Sequence, residues 1–206
     1  MPTPAAPRPK MLVIGLTGGI GMGKSTAARI LSRLGFPVYH ADRAVHDLLG
    51  KHGKAIPAVR RAFPESLRGG AISRKLLGRI VFDDPAKLRQ LENILHPLVQ
   101  EAERSFLREM RRAKVRAVFL EIPLLFETGA EARCDAVLCV TAPRAIQKAR
   151  VLSRRGMTEV RLRAILKRQL PDLQKRRRAD YIIHTGKGLA DTRRQLVAII
   201  DCLLNE

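Results

Sequence analysis

Several side chains in this sequence are spaced so that together they could do chemistry on phosphate. Gly21, Met22, Gly23, Lys24, Ser25 and Thr26 lie in a run that, from Gly18 to Ser25, fits G-x-x-x-x-G-K-[ST]. Glycines at such positions let successive backbone N–H groups turn inward around a phosphate, where larger residues would block the approach. Lys24 would reach the β- and γ-phosphates of a nucleoside triphosphate, and the Ser25 hydroxyl would bind the Mg2+ that bridges them. Asp42 closes a second short apolar run and has two readings. It is either the N-cap of the helix that follows, where Asp is among the best residues, or a group that accepts the proton of an attacking hydroxyl. Glu121 lies near the end of another apolar run, where proteins with such loops often place an acid that holds the metal's water shell.

The elements that must position these residues can be read from the hydrophobic pattern. Met11 to Leu16 is too short for a helix and reads as a buried strand. Ala27, Ala28, Ile30, Leu31 and Leu34 mark the apolar face of a helix whose positive end points at the phosphate. Gly35-Phe36-Pro37 breaks it, and Pro37 to Ala41 reads as a second strand. Ligands of open α/β sheets bind beyond the carboxyl ends of strands, and Asp42 lies at one such end. From Lys51 to Arg116 there is no strand pattern. Amphipathic segments over Ala55 to Phe63, Ser73 to Val81, Pro85 to His96 and Pro97 to Ala113 are separated by loops at Pro64, Gly69-Gly70 and Asp83-Asp84-Pro85. Such an insertion either holds an acceptor substrate or is a structural bundle over one sheet edge.

Val115 to Leu125, Ala136 to Val140 and Asp180 to His184 read as further strands. Between the last two lies a basic helical stretch from Arg144, then a helix to Leu170 and the run Lys175 to Arg178, expected to be solvated. Ala190 to Leu204 is a C-terminal amphipathic helix. Strands alternating with helices predict an α/β fold with a five-stranded parallel sheet covered on both faces.

Length and composition bound the function. A chain of 206 residues supports one sizeable core rather than two independent domains. The proline-rich residues 1–10 are expected to be a disordered tail rather than a secretion signal. No apolar run is long enough to cross a bilayer, so the cytoplasm is the default compartment. Cys134, Cys139 and Cys202 have no metal-ligand spacing and are expected to be buried, reduced thiols. The five histidines form no ligand pattern either. A net charge of +20 suits nucleotides, nucleic acid or acidic membranes, or is simply a solvated arginine-rich surface. With two Tyr, six Phe and no Trp there is little for base stacking, so no specific nucleic-acid partner is expected.

Several stretches together resemble the dephospho-CoA kinase family, almost throughout from Met11 on. They are LTGGIGMGKST (Leu16 to Thr26), HADRAVHDL (His40 to Leu48), ISRKLLGRIVF (Ile72 to Phe82) and LENILHPLV (Leu91 to Val99). EIPLLFETG (Glu121 to Gly129), Arg150 and Arg154 ahead of Gly156-Met157, and ADYIIHTG (Ala179 to Gly186) complete the set. The resemblance implies a P-loop kinase that transfers the ATP γ-phosphoryl group to the ribose 3′-hydroxyl of dephospho-coenzyme A, the last step of coenzyme A synthesis. The alternatives are a kinase for another small alcohol or nucleotide, or a nucleic-acid-dependent ATPase. It implies that Asp42 serves the acceptor hydroxyl, and that Arg150 and Arg154 belong to a mobile lid over the phosphates. The corresponding division is a core of 11–42, 115–143 and 179–206, an acceptor-binding insertion 43–114 and a lid 144–178. Two positions depart from the pattern. Met22 stands where a smaller residue is commoner, and Glu121 where Asp is frequent.

Overall fold

The computed structural model describes residues 10–82 and 84–205. The expected disordered tail lies outside the described residues, apart from Lys10, whose Nζ is 2.7 Å from the Asp135 carboxylate. β1 (Leu12–Thr17) carries no polar side chain before Thr17 and is buried along nearly its whole length, as a strand covered on both faces requires. It leads into α1 (Lys24–Arg33), β2 (Val38–His40) and α2 (Ala41–Leu49). Next come α3 (Ile56–Ala62), a hairpin of β3 (Leu67–Arg68) and β4 (Ala71–Ile72), α4 (Arg74–Phe82) and α5 (Pro85–Arg112). The chain returns through β5 (Ala117–Glu121), β6 (Ala136–Thr141), α6 (Arg144–Leu152) and α7 (Glu159–Lys167). It ends with α8 (Asp172–Arg178), β7 (Tyr181–His184) and α9 (Leu189–Asn205).

The five strands expected from the pattern form one parallel sheet, in the order β2-β5-β1-β6-β7. Its register pairs Leu16 with Glu121 on one side and with Leu138 on the other, and Thr141 with His184. The ends of β1, β5, β6 and β7 therefore share one edge, which is where loops from distant parts of the sequence can meet. Two compact units are distinguished along the chain: the described residues up to Tyr39 together with those from Met110 on, and His40–Glu109. The first is built around Ile14, Leu16, Phe119, Leu138, Ile183 and Leu196, with Phe36 set edge-on to Phe119 at 5.6 Å between ring centroids. The second packs Val59, Phe63, Leu77, Leu91 and Leu95. Among the described residues no helix is long and apolar enough to cross a membrane.

The structure corrects three local expectations. Residues 51–116 do contain strand: Leu67 pairs with Ile72 and Arg68 with Ala71 across the Gly69-Gly70 turn. Strands of two residues have no periodicity to read, although a two-residue glycine turn is itself a hairpin signal. The break expected between His96 and Pro97 is absent, and α5 runs through Pro97. A proline inside a helix removes one backbone hydrogen bond and crowds the preceding turn. Here the apolar stripe of Leu91 and Leu95, continued by the partly buried Leu98 and Val99, holds both halves on one core. Of the cysteines only Cys139 is buried; Cys134 is half-buried and Cys202 exposed. The buried face of α9 is Thr192, Leu196 and Ile200, and Cys202, two residues further on, falls on the opposite face. Burial and the nearby Asp172 carboxylate push the Cys139 thiol up to about 12, so it stays protonated.

Phe119 is fully buried on β5 beside Phe36. Phe119→Ala should lower the unfolding free energy by about 3–5 kcal/mol, the usual loss for emptying an aromatic site that cannot collapse. A shift of that size in the denaturant midpoint at unchanged slope is the expected result.

Candidate active site

The loop between β1 and α1 is shaped by glycines that nothing else could replace. Gly21 and Gly23 have φ of 75° and 94°, in the left-handed region that other residues avoid. Space forbids a side chain as well. A Cβ on Gly21 would lie 2.6 Å from Val151 Cγ2 and 3.0 Å from the Gln147 carbonyl oxygen, and one on Gly23 would lie 2.8 Å from Thr185 Oγ1. The loop closes on itself through Met22 N–H to the Gly19 carbonyl at 3.2 Å. Thr26 and Ala27 donate to the Gly23 carbonyl at 3.1 and 3.0 Å. The N–H groups of Gly21, Gly23, Lys24 and Ser25 have no acceptor among the described residues. Four backbone donors at the start of a ten-residue helix make a cradle for an anion.

Lys24 and Ser25 converge with Glu121 at this cradle. Lys24 Nζ lies 3.1 Å from Glu121 Oε1, and the Ser25 hydroxyl donates to the same oxygen at 3.2 Å. The Lys24 and Glu121 side chains are only 12% and 8% exposed. Glu121 is the last residue of β5, level with Leu16 of β1, which is why residues 96 and 97 positions apart meet. A hydroxyl and a carboxylate are hard oxygen donors of the type Mg2+ accepts. Among the described residues there is no group of three or more His, Cys, Asp and Glu that could hold a metal alone. The remaining ligands of a cation here would have to be water and substrate oxygens, the usual arrangement for Mg2+ at phosphates.

The basic residues divide. Arg150 reaches the end of β7, donating to the Thr185 hydroxyl at 2.9 Å and to the Thr185 carbonyl at 2.7 Å. The Thr185 hydroxyl in turn donates to the Met22 carbonyl at 2.7 Å. Arg150 is thereby tied to the phosphate loop through one intermediary, whereas Arg154 is exposed in the turn after α6. Met22 contributes more than backbone: its side chain is buried and its sulfur accepts the Ala142 N–H at 3.2 Å. Asp42 lies in the second compact unit, exposed, as the second residue of α2. The helix begins two residues earlier than an Asp42 cap requires, so the N-cap position falls to His40 and the cap reading of Asp42 does not hold. Its carboxylate has no hydrogen bond or ion pair among the described residues.

Three residues around the loop escaped the sequence pattern. Thr185 follows the last residue of β7, and a small polar side chain at the carboxyl end of a strand is the one signal that pointed to it. Gln147 and Gln169 have no motif of their own, yet both bond the main chain of Ile20. The Lys175 to Arg178 run is not wholly solvated. Lys175 is fully buried, with Nζ 2.8 Å from Glu127 and 3.0 Å from the Pro123 carbonyl, because it falls on the inward face of α8.

A sequence profile described as dephospho-CoA kinase matches residues 12–191. A protein of Paramagnetospirillum magneticum named dephospho-CoA kinase is 58% identical over 166 residues, covering 81% of this chain and 78% of its own length. One of the same name from Brucella melitensis is 47% identical over 190 residues, covering 92% of this chain and 94% of the relative. Among solved structures, a Thermus thermophilus protein superposes with a TM-score of 0.80 at 38% identity, over 94% of this chain and 98% of that one.

Thr185 joins three parts of the site through one hydroxyl. Thr185→Val keeps its shape but leaves the Met22 carbonyl and one Arg150 donor without this partner. The expected loss is about 1–3 kcal/mol of unfolding free energy in denaturant melts.

Proposed function

The chain belongs to the dephospho-CoA kinase family, and we propose that its phosphate loop works as follows in that reaction. ATP is the phosphoryl donor and the 3′-hydroxyl of dephospho-CoA the acceptor. The observation that carries the reading is the set of four N–H groups without acceptors among the described residues at the head of α1, beside the nearly buried ammonium of Lys24. Gly21 to Thr26 hold the triphosphate, and Lys24 meets the oxygens of the β- and γ-phosphates. Ser25 and Glu121 are the residues that would hold Mg2+, which when bound neutralises the charge on those phosphates.

Asp42 is assigned to the acceptor. Its support is its place just past the carboxyl end of β2 and a carboxylate that no group among the described residues engages. The acceptor oxygen attacks the γ-phosphorus, the bond to the β-phosphate oxygen breaks with ADP leaving, and the hydroxyl proton passes to Asp42. Arg154, exposed after α6, is assigned to charge on the transferring group, and the segment 144–178 to a lid that excludes water. Arg150, within that segment, bonds Thr185 at the end of β7. Residues 43–114 are assigned to the acceptor, and the protein to the cytoplasm.

A coupled assay of ADP release with a panel of acceptor alcohols tests the assignment of substrate. Dephospho-CoA should be used in clear preference to other ribose hydroxyls, and equal use of nucleoside monophosphates would overturn it. Lys24→Ala should nearly abolish turnover while the melting temperature stays within a few degrees. Unchanged turnover in the folded variant would remove the loop from the mechanism. Asp42→Asn should keep ATP binding and lower turnover by about two to four orders of magnitude, the range of positioned acid–base help. The loss should persist with dephospho-CoA saturating, since an amide takes up no proton at neutral pH. A change within a few-fold would return Asp42 to an ordinary helix residue.

A further inference from the structure

Ile20 sits inside the phosphate loop, and its main chain is held at both polar ends by side chains from far along the sequence. Gln169 Oε1 accepts the Ile20 N–H at 3.0 Å, and Gln147 Nε2 donates to the Ile20 carbonyl at 2.8 Å. Gln147 is buried on α6, which also supplies the wall against Gly21 through Val151. Gln169 stands in the turn between α7 and α8, and that turn is itself fastened. The neighbouring Leu170 N–H donates to Glu127 Oε1 at 2.8 Å. Glu127 also takes the fully buried Lys175 ammonium, at 2.8 and 3.1 Å from its two oxygens. Asp172 accepts the Thr141 hydroxyl at the end of β6 at 2.9 Å. Gln169 thus reaches Ile20 from a segment anchored to the loop after β5 and to the end of β6.

We infer that Gln169 and Gln147 are positioning residues, a two-sided clamp that keeps the phosphate loop in its binding shape before nucleotide arrives. A loop rich in left-handed glycines has many alternative conformations to lose. The clamp removes them in advance, so that the N–H groups of Gly21, Gly23, Lys24 and Ser25 already point into the cradle. Gln169 acts on the loop through its acceptor oxygen, which takes the Ile20 N–H. Its effect is on the fraction of molecules whose loop is competent, and an apparent dissociation constant is the intrinsic one divided by that fraction. The proposal rests on the reading of this loop as the ATP cradle.

The test uses the full chain with Gln169→Leu, Gln147→Leu and the double variant. It measures ATP affinity by calorimetry without acceptor and, separately, steady-state kinetics. Each single variant should weaken ATP binding by about tenfold, the order expected for one lost hydrogen bond. With ATP saturating, kcat should stay within about threefold and the KM for dephospho-CoA should not move, because bound ATP itself selects the competent loop. The double variant should lose less than the product of the two single losses, since each amide is half of one clamp. A purely structural role would lower the melting temperature or the active fraction and leave the affinity of the folded protein alone. That result, or single variants with parental ATP affinity, would overturn the clamp. If the parent protein itself bound no ATP, the cradle reading would fail first and the clamp with it.

Discussion

A loop that must aim its own N–H groups at a ligand cannot use them to hold itself in place. That constraint governs the first compact unit. Among the described residues, only Ile20 and Met22 of the amides from Ile20 to Ser25 are engaged by protein, which leaves the others available to an anion. The restraint therefore comes from outside the loop, and it comes from far away in sequence. Gln147 and Val151 stand over Gly21, Thr185 over Gly23 and the Met22 carbonyl, Gln169 on Ile20, and Ala142 on the Met22 sulfur. A side chain at either glycine would push these walls back, so tight walls and missing side chains are two consequences of one requirement.

The sheet makes such convergence possible. In a parallel sheet every strand delivers its carboxyl end to the same edge, so β1, β5, β6 and β7 each release a loop there. β5 ends on Glu121, β6 on Thr141, and β7 on His184 with Thr185 next. The polar residues at these ends engage the loop, the lysine or the segment that carries Gln169. The strands themselves are nearly all apolar, since both faces are covered. Placing each polar group at the last residue of a strand, or just past it, keeps it out of the middle of the sheet.

What the sequence made legible follows from how local each signal is. The glycine, lysine and serine pattern is contiguous, as are the strand before it and the helix after it, and all three formed where expected. The strands are runs of β-branched and apolar residues; four were found to within a residue, while the run Val115 to Leu125 proved to be strand only over Ala117–Glu121, stopping four residues short. Glu121 could be singled out because it lies near the end of such a run. Gln147 and Gln169 could not, because a glutamine gains meaning here only from meeting Ile20, 127 and 149 positions away. Lys175 was hidden by its neighbours. In a run of four cations the average reads as solvated, while helical phase turns one of them inward. The start of α2 was misplaced by two residues relative to an Asp42 cap, a small shift that decides whether Asp42 caps the helix.

Two buried lysines in the same unit show how donor pairing separates support from chemistry. An ammonium has three hydrogens and is costly to bury unless they are matched. Lys175 meets both oxygens of Glu127 and the Pro123 carbonyl, so its needs are filled within the protein. Its charge is balanced by one carboxylate and its position fixes a turn. Lys24 is almost as secluded, but among the described residues its only partner is one oxygen of Glu121, which the Ser25 hydroxyl shares. A lysine held that way keeps donors for a further anion. The four N–H groups beside it have the same deficit, and together they call for a ligand that brings several oxygens at once. A triphosphate does so, and the arrangement that leaves these donors unmatched is held in place by the fully matched pairs around it.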